Sequence, residues 1–297
     1  MSEHLSHMDN LESAVTAAGS TVFSLRAPDV YCCRDRAFCR KLRIVCVSDT
    51  HGRHHKIRDK IPDGDIFIHC GDFSNKMRRR DARSVMEDFN RFLGSLSHKH
   101  KIVIAGNHEI ALNSYTREQI QQHLSNCIYL QDSSVTVEGL TFYGTPWTNS
   151  VNMGFSCRGR ELEAVWEKIV PEVDILLTHM PPYNLRDLAY DPRSSGGGSS
   201  SSSSGKVDGR WSTEPCDACG EVHRKYLHWG SWSLTRRVMS LKEGGAPGGR
   251  GAGCVAHIFG HVHNSHGYVV KSGCLFVNAA QDMHVQPIFF ECYVDDP

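Results

Sequence analysis

Lys101-Ile102-Val103-Ile104-Ala105-Gly106-Asn107-His108-Glu109 is the stretch that decides how this chain reads. Ile102-Val103-Ile104 is a short β-branched apolar run, the mark of a buried strand. Gly106 lets the backbone turn without a Cβ clash. Asn107 and His108 follow at the strand's carboxyl end, where open α/β sheets gather their ligands. Four other apolar runs end the same way. Ile44-Val45-Cys46-Val47-Ser48 delivers Asp49-Thr50-His51, and Ile66-Phe67-Ile68-His69-Cys70 delivers Gly71-Asp72. Ile175-Leu176-Leu177-Thr178 delivers His179, and Ala256-His257-Ile258-Phe259 delivers Gly260-His261-Val262-His263. Five strands that finish in Asp, Asn or His predict a metal site assembled along one rim of a sheet.

Outward from these strands the pattern alternates. Between Asp81 and Leu96, Val85, Phe89, Phe92, Leu93 and Leu96 recur at helical spacing, which predicts an amphipathic helix on the sheet. Further helices are expected at Thr116 to His123 and Arg160 to Val170, the latter ended by Pro171. Val135 to Val137 and Leu140 to Tyr143 flank Glu138-Gly139 as a hairpin. A second hairpin is expected around Lys271-Ser272-Gly273, and a last strand near Ile288 to Val294. The alternation favours a layered α/β domain over residues 41–297. Residues 1–40 show no sustained period. They read as a disordered leader with at most a short helix near Leu11 to Ala18, and Cys32, Cys33 and Cys39 read as free thiols there. Ser194 to Gly205 is a Ser/Gly run that cannot pack. It opens an insert at about 191–253, in which Val222 to Leu241 reads as a helix or a lid.

The totals exclude several function classes. Lys plus Arg and Asp plus Glu each number 33 in 297 residues, so no bulk field draws the protein to DNA or to a membrane surface. No run approaches the ~20 apolar residues of a membrane span. The start, Met1-Ser2-Glu3-His4-Leu5-Ser6-His7, has no basic residues followed by an apolar stretch. A soluble, cytoplasmic protein is therefore expected. Cys46, Cys70 and Cys254, in or beside predicted strands, read as small buried apolar residues.

The candidate ligands are Asp49, His51, Asp72, Asn107, His179, His261 and His263. Carboxylate, amide oxygen and imidazole suit manganese, iron or zinc better than calcium. Seven ligands exceed one tetrahedral ion and divide between two, with Asp72 the natural bridge because a carboxylate has two oxygens to share. Each residue alone has a simpler reading: His179 as a core histidine, Asp49 as a helix cap, Asn107 as a turn residue. Their joint recurrence at strand ends favours the metal. On an extended strand His261 and His263, two apart, would face one way.

Asp49-x-His51, Gly71-Asp72, Gly106-Asn107-His108-Glu109, His179 and Gly260-His261-x-His263 together resemble the calcineurin-like metallophosphoesterases, over about residues 42 to 294. Within that superfamily the chain is most similar to the metallophosphoesterase-domain-containing (MPPED) branch. Phe67 to Phe73, Lys101 to Glu109, Cys127-Ile128-Tyr129-Leu130-Gln131-Asp132 and Tyr143-Gly144-Thr145-Pro146-Trp147 carry that closer likeness. The resemblance implies a four-layer α-β-β-α sandwich and two divalent metal ions, manganese first, with iron or zinc as the other choices. It implies Asp49, His51, Asp72 and His263 on one metal, and Asp72, Asn107, His179 and His261 on the other. His108 would stand beside the phosphate as the catalytic non-ligand, with Asn107 also touching substrate. Some MPPED-like members lack the first histidine of the last motif and are weak enzymes; His261 is present here.

The protein Ser/Thr phosphatases of the superfamily carry an Arg soon after Gly-Asp. This chain reads Gly71-Asp72-Phe73-Ser74-Asn75-Lys76, which favours phosphodiester or cyclic-nucleotide substrates, with a small phosphoester or nucleotide as the partner. The alternatives are a low-turnover nucleotide-binding or scaffold protein, and a phosphomonoesterase or protein phosphatase. Arg78, among Lys76, Arg79 and Arg80, is either a solvated surface cation or a substrate phosphate contact. Cys216-x-x-Cys219 with His223 and His228 resembles a zinc set, but the spacing fits no standard finger and no second Cys pair accompanies it, so the segment reads first as a helix or lid start. Trp211, Trp229 and Trp232 serve either packing or stacking on a nucleobase. His54 and His55 read as surface residues.

Overall fold

The computed structural model describes residues 11–15, 21–33, 39–190, 226–243, 253–281 and 286–296. The Ser194 to Gly205 run, Trp211, Cys216, Cys219 and His223 lie outside them. In chain order the strands are β1 (Leu11–Val15), β2 (Thr21–Arg26), β3 (Val30–Tyr31), β4 (Cys39–Val47), β5 (Ile66–Cys70), β6 (His100–Ile104), β7 (Ile128–Tyr129) and β8 (Ser133–Val137). They continue as β9 (Leu140–Thr145), β10 (Ile175–Thr178), β11 (Leu188–Tyr190), β12 (Tyr226–His228), β13 (Ala256–Phe259), β14 (Gly267–Lys271), β15 (Cys274–Asn278) and β16 (Ile288–Asp295). The helices are α1 (His54–Ile57), α2 (Ala82–Gly94), α3 (Arg117–His123), α4 (Arg160–Glu167) and α5 (Trp232–Glu243).

Two sheets carry the molecule. The first runs β1-β2-β16-β4-β5-β6-β7, with β3 beside β16, and the second runs β14-β15-β13-β10-β9-β8. Strands β4 to β7 are mutually parallel. So are β15, β13, β10 and β9, with antiparallel β14 and β8 at the edges. Successive residues of a strand point to opposite faces, and the sequence uses both. Ile44 and Cys46 of β4, Ile66 and Ile68 of β5, Ile175 and Leu177 of β10 and Ile258 of β13 join one core between the sheets. Val45, Val47 and Phe67 turn outward, against Met86, Phe89 and Phe92 of α2. Leu176, Phe259 and Phe276 turn the other way, against Trp166 of α4 and Leu234 and Val238 of α5. Three apolar layers between four layers of structure make an α-β-β-α sandwich, as expected. Thr116 starts α3 with a capping box: Gln119 N–H donates to Thr116 Oγ1 (3.3 Å) and Thr116 N–H to Gln119 Oε1 (2.8 Å).

Residues 1–10, 16–20 and 34–38 of the expected leader lie outside the described residues, and its described part departs from expectation. Thr21–Arg26 is a strand, and Leu11–Val15 pairs with it as a strand rather than a helix. β2 lies parallel to β16 (Ile288↔Leu25), and Ala27 N–H donates to Phe289 O (2.8 Å). Leu25, Ala27 and Val30 are buried. The partner strand is distant in sequence, so no local period reports the pairing. Cys33 and Cys39 form a disulfide rather than standing as free thiols. The helix expected in the insert is α5, and it is part of the body: Leu234, Val238 and Leu241 are buried in the core under the second sheet. No helix among the described residues is long and apolar enough to cross a membrane.

Candidate metal centre

The parallel strands of both sheets deliver their carboxyl ends to one rim. A parallel bridge between Ser48 and Ala280 links the two sides. Asp49 and His51 follow β4, Asp72 follows β5, and Asn107 and His108 follow β6. From the second sheet, His179 follows β10, and His261 and His263 follow β13. His261 and His263 are not on an extended strand. His261 has φ 69° and His263 opens a short 3₁₀ turn, so the two rings serve different groups.

Two donor clusters result. Asp49, His51 and His263 present ligand atoms within 4.8 Å of one another, and so do Asp72, His179 and His261. His51, Asp72 and His108 form a third such group between them. His263 Nε2 lies 3.3 Å from Asp49 Oδ1 and 3.1 Å from His51 Nε2. His179 Nε2 lies 2.9 Å from Asn107 Oδ1 and 3.3 Å from Asp72 Oδ2. The structure thus brings together Asp49, His51, Asp72, Asn107, His108, His179, His261 and His263. Arg78 stands apart on the exposed loop that follows, its backbone N–H on Asp81 Oδ1 (2.7 Å).

The donor chemistry fits cations. His179 Nδ1 meets the carbonyl oxygen of Cys70 at 2.7 Å. A carbonyl only accepts, so Nδ1 carries the hydrogen. A neutral His179 then aims its Nε2 lone pair at two oxygen acceptors, which is repulsive unless a cation or a proton lies between them. Burial disfavours a charged His179, yet the Asp72 carboxylate, its hydrogen bond and Asp49 push the imidazole up to about 10. In the first cluster two Nε2 atoms converge on a carboxylate oxygen, a donor set that a cation could share. Burial, first of all, holds His51 low and His261 down to about 4. Both therefore offer lone pairs at neutral pH. Asp49 and Asp72 are 0% and 2% exposed, and two buried anions side by side need compensating charge.

The backbone is bent to make this geometry. Asp49, His51, Asp72 and His261 all have positive φ, at 57°, 47°, 54° and 69°. A side chain in that region costs about 1–3 kcal/mol, and such strain gathers at functional sites. Two glycines make room. A Cβ on Gly106 would strike Asp72 Oδ1 and His179, and one on Gly260 would strike Asp49 Oδ2 and Ser48 Oγ.

Glu109 was not singled out from the sequence. Buried behind the site, it accepts from the N–H groups of Asp72 (2.9 Å), Ser74 (2.9 Å) and Gly106 (2.7 Å) and from Ser74 Oγ (2.7 Å). It joins the turn after β5 to the turn after β6. Burial and the neighbouring Asp72 charge push its carboxyl up to about 8, against the four donors. An acid directly after a glycine-turn Asn-His was the one available signal. His54 also departs from expectation. It is buried and 3.1 Å from Asp88 Oδ2, while His55 is exposed, 3.2 Å from the same oxygen.

Residues 42–265, most of the chain, match the family model for calcineurin-like phosphoesterases. The chain is 34% identical to the UPF0046 protein C25E10.12 of Caenorhabditis elegans, an alignment covering 86% of this chain and 82% of that one. It is 32% identical to metallophosphoesterase domain-containing protein 1 of Homo sapiens, over 86% of this chain and 71% of that protein. A solved structure superposes with a TM-score of 0.56 at 14% identity, covering 85% of this chain and 95% of its own, which shows a common fold.

Proposed function

Because this chain belongs to the calcineurin-like phosphoesterase family, a family built on a dinuclear metal centre, we propose that it is a dimetal-dependent phosphodiesterase acting on phosphodiester or cyclic-nucleotide substrates. Metal-dependent phosphoester hydrolysis follows from the family and from the His/Asp clusters; the diester preference is our reading. It rests on one observation above the rest: two carboxylate–histidine clusters, fed from both sheets, stand side by side at one rim.

In this reading Asp49, His51, Asp72 and His263 hold one ion and Asp72, Asn107, His179 and His261 the other, manganese being the first choice. When bound, the ions supply an activated water and neutralise charge on the phosphoryl oxygens. The protein's own groups do the rest. Cys70 O fixes the His179 ring, and Asp49 Oδ2 accepts the His261 N–H at 2.8 Å. The N–H of His108 donates to Asp72 Oδ1 at 2.7 Å, which orients that carboxylate. The His108 imidazole is partly open to solvent, with Nε2 3.8 Å from Asp72 Oδ2; in this reading it would hydrogen-bond the phosphoryl group and protonate the leaving oxygen. Asn107 would also touch substrate, and Arg78 would meet a phosphate approaching over its loop.

Hydrolysis of bis(p-nitrophenyl) phosphate and p-nitrophenyl phosphate, with and without added manganese, tests this. The expected result is manganese-dependent turnover that favours the diester. Asp72→Ala should lower it by at least ~100-fold, since even outer partners of metal ligands cost 10–100-fold. Turnover indifferent to both the metal and Asp72 would end the proposal.

A further inference from the structure

The turn before α5 holds an exposed tryptophan against the rim. Trp229 is 44% exposed, and its ring centroid lies 6.1 Å from that of His261, tilted by 43°. The backbone beneath it is firmly held. Buried Asp187 receives the N–H of Gly230 on Oδ2 (3.0 Å) and pairs with His228 Nδ1 through Oδ1 (2.7 Å), while its carbonyl accepts the Trp229 N–H (2.9 Å). Ser231 N–H donates to Pro181 O (3.0 Å) and Tyr183 N–H to Ser231 O (3.2 Å). A Cβ on Gly230 would strike the Pro182 carbonyl. The Trp229 turn is thereby sewn to the segment that leaves His179. Beside it Tyr183 and Trp232 stack at 5.2 Å and 17°, with Trp232 67% exposed.

An indole left open to water on a rigid turn, one ring beyond a candidate metal ligand, forgoes the burial that large aromatics normally gain. We infer that Trp229 forms one face of a subsite for the planar base of a nucleotide whose phosphoester lies at the metal centre. This deepens the phosphodiesterase reading and rests on it for the position of the phosphate. The lip suits a flat heteroaromatic ring better than a lipid chain. Its π-faces lie beside the His261 imidazole, whereas an acyl chain would need continuous apolar surface. Stacking accepts any base, because every base has a π-face. The subsite would therefore separate nucleotides from phosphoesters of aliphatic alcohols without choosing among bases.

The test uses the full chain loaded with manganese. A nucleoside cyclic monophosphate and a ring-free glycerophosphodiester serve as substrates for the wild type, Trp229→Ala and Trp229→Phe, with metal content measured for each. In Trp229→Ala the ratio of kcat/KM for the nucleotide to that for the ring-free diester should fall by about 5- to 150-fold, the usual worth of one base–aromatic stack. Trp229→Phe should recover most of it. An unchanged ratio, or equal losses on both substrates, overturns the subsite and leaves Trp229 a structural residue. Quenching of tryptophan emission by a nucleoside monophosphate, present in the wild type and lost in Trp229→Phe, reads the subsite without turnover. Such quenching in a protein that hydrolyses neither diester would sink the enzyme reading alone. Absence of both quenching and hydrolysis would sink the two together.

Discussion

Glu109 accepts four hydrogen bonds from two turns, so a change there reaches the Asp72 and Asn107 side chains through the backbone that carries them. In Glu109→Gln the new amide N–H₂ would face backbone N–H groups. A buried donor left without an acceptor costs about 1–3 kcal/mol. We expect a lower thermal midpoint and manganese affinity weakened by about 10–100-fold, read by melting and by metal titration. Unaltered affinity would show that the clamp is not coupled to the ligands. His108 should behave in the opposite way. His108→Ala is expected to keep both metals and lose about 10²–10⁴-fold in kcat, which metal analysis beside a rate assay would check. Such residues differ in how far the sequence exposes them. Asp49, Asp72, Asn107 and His179 each follow a short, largely apolar run, and that position is visible in the letters. Glu109 stands in the very stretch that decides the fold, yet three of its four partners are backbone N–H groups, to which no side-chain pattern points.

Among the elements, the β8–β9 hairpin carries a tie between the two sheets. Glu138 at its turn pairs with Arg40 of β4 (2.8 Å), with Lys99 (2.6 Å) and with His100 of β6 (2.8 Å). The Lys99 hydrogen bond first, then that of His100, outweighs the burial penalty, and with Arg40 they bring the carboxyl down to about 2 from 4.5. A depressed carboxyl contributes stability above its unfolded value and loses it as pH falls through the folded one. The window is thus about pH 4.5 to 2. Glu138→Gln should flatten the acid limb of a denaturant-midpoint profile across that window and change its slope little above pH 6. An acid limb as steep as the wild type's would remove Glu138 from the account. In the outer layer, Leu234→Ala on α5 should cost about 2–5 kcal/mol as a buried leucine truncation, measurable by urea unfolding. Helices α2 and α4 were legible because their apolar faces repeat locally, whereas α3 buries one apolar residue, Ile120, and is marked by its capping box. β2 and β3 were not, because their partner β16 lies at the other end of the described chain and short strands carry little period of their own. The insert misled for a different reason. Its Ser/Gly run suggested that everything up to 253 lay outside the body, although Leu234, Val238 and Leu241 already mark a buried face.

For the whole molecule, ligands come from both sheets, so bound metal should stabilise the docked pair and not either sheet alone. A ligand that binds only the native state at 100 times its Kd adds about 2.7 kcal/mol, on the order of 5–10 °C in a domain of this size. Chelator should lower the wild-type midpoint by that order, manganese should restore it, and Asp72→Ala should respond to neither. A wild-type midpoint indifferent to chelator would mean that the clusters bind nothing that matters to the fold. The strand order carries a last consequence. β16 lies between β2 and β4, inserted late in the sequence into a sheet whose other members come early. While the ribosome is still short of Ile288, β4 has no neighbour on that flank and the turn bearing Asp49 and His51 hangs from an open edge. A chain halted at residue 287 would carry every candidate ligand yet lack the strand that β4 pairs with, and we expect it to show no turnover; turnover equal to that of the full chain would overturn this.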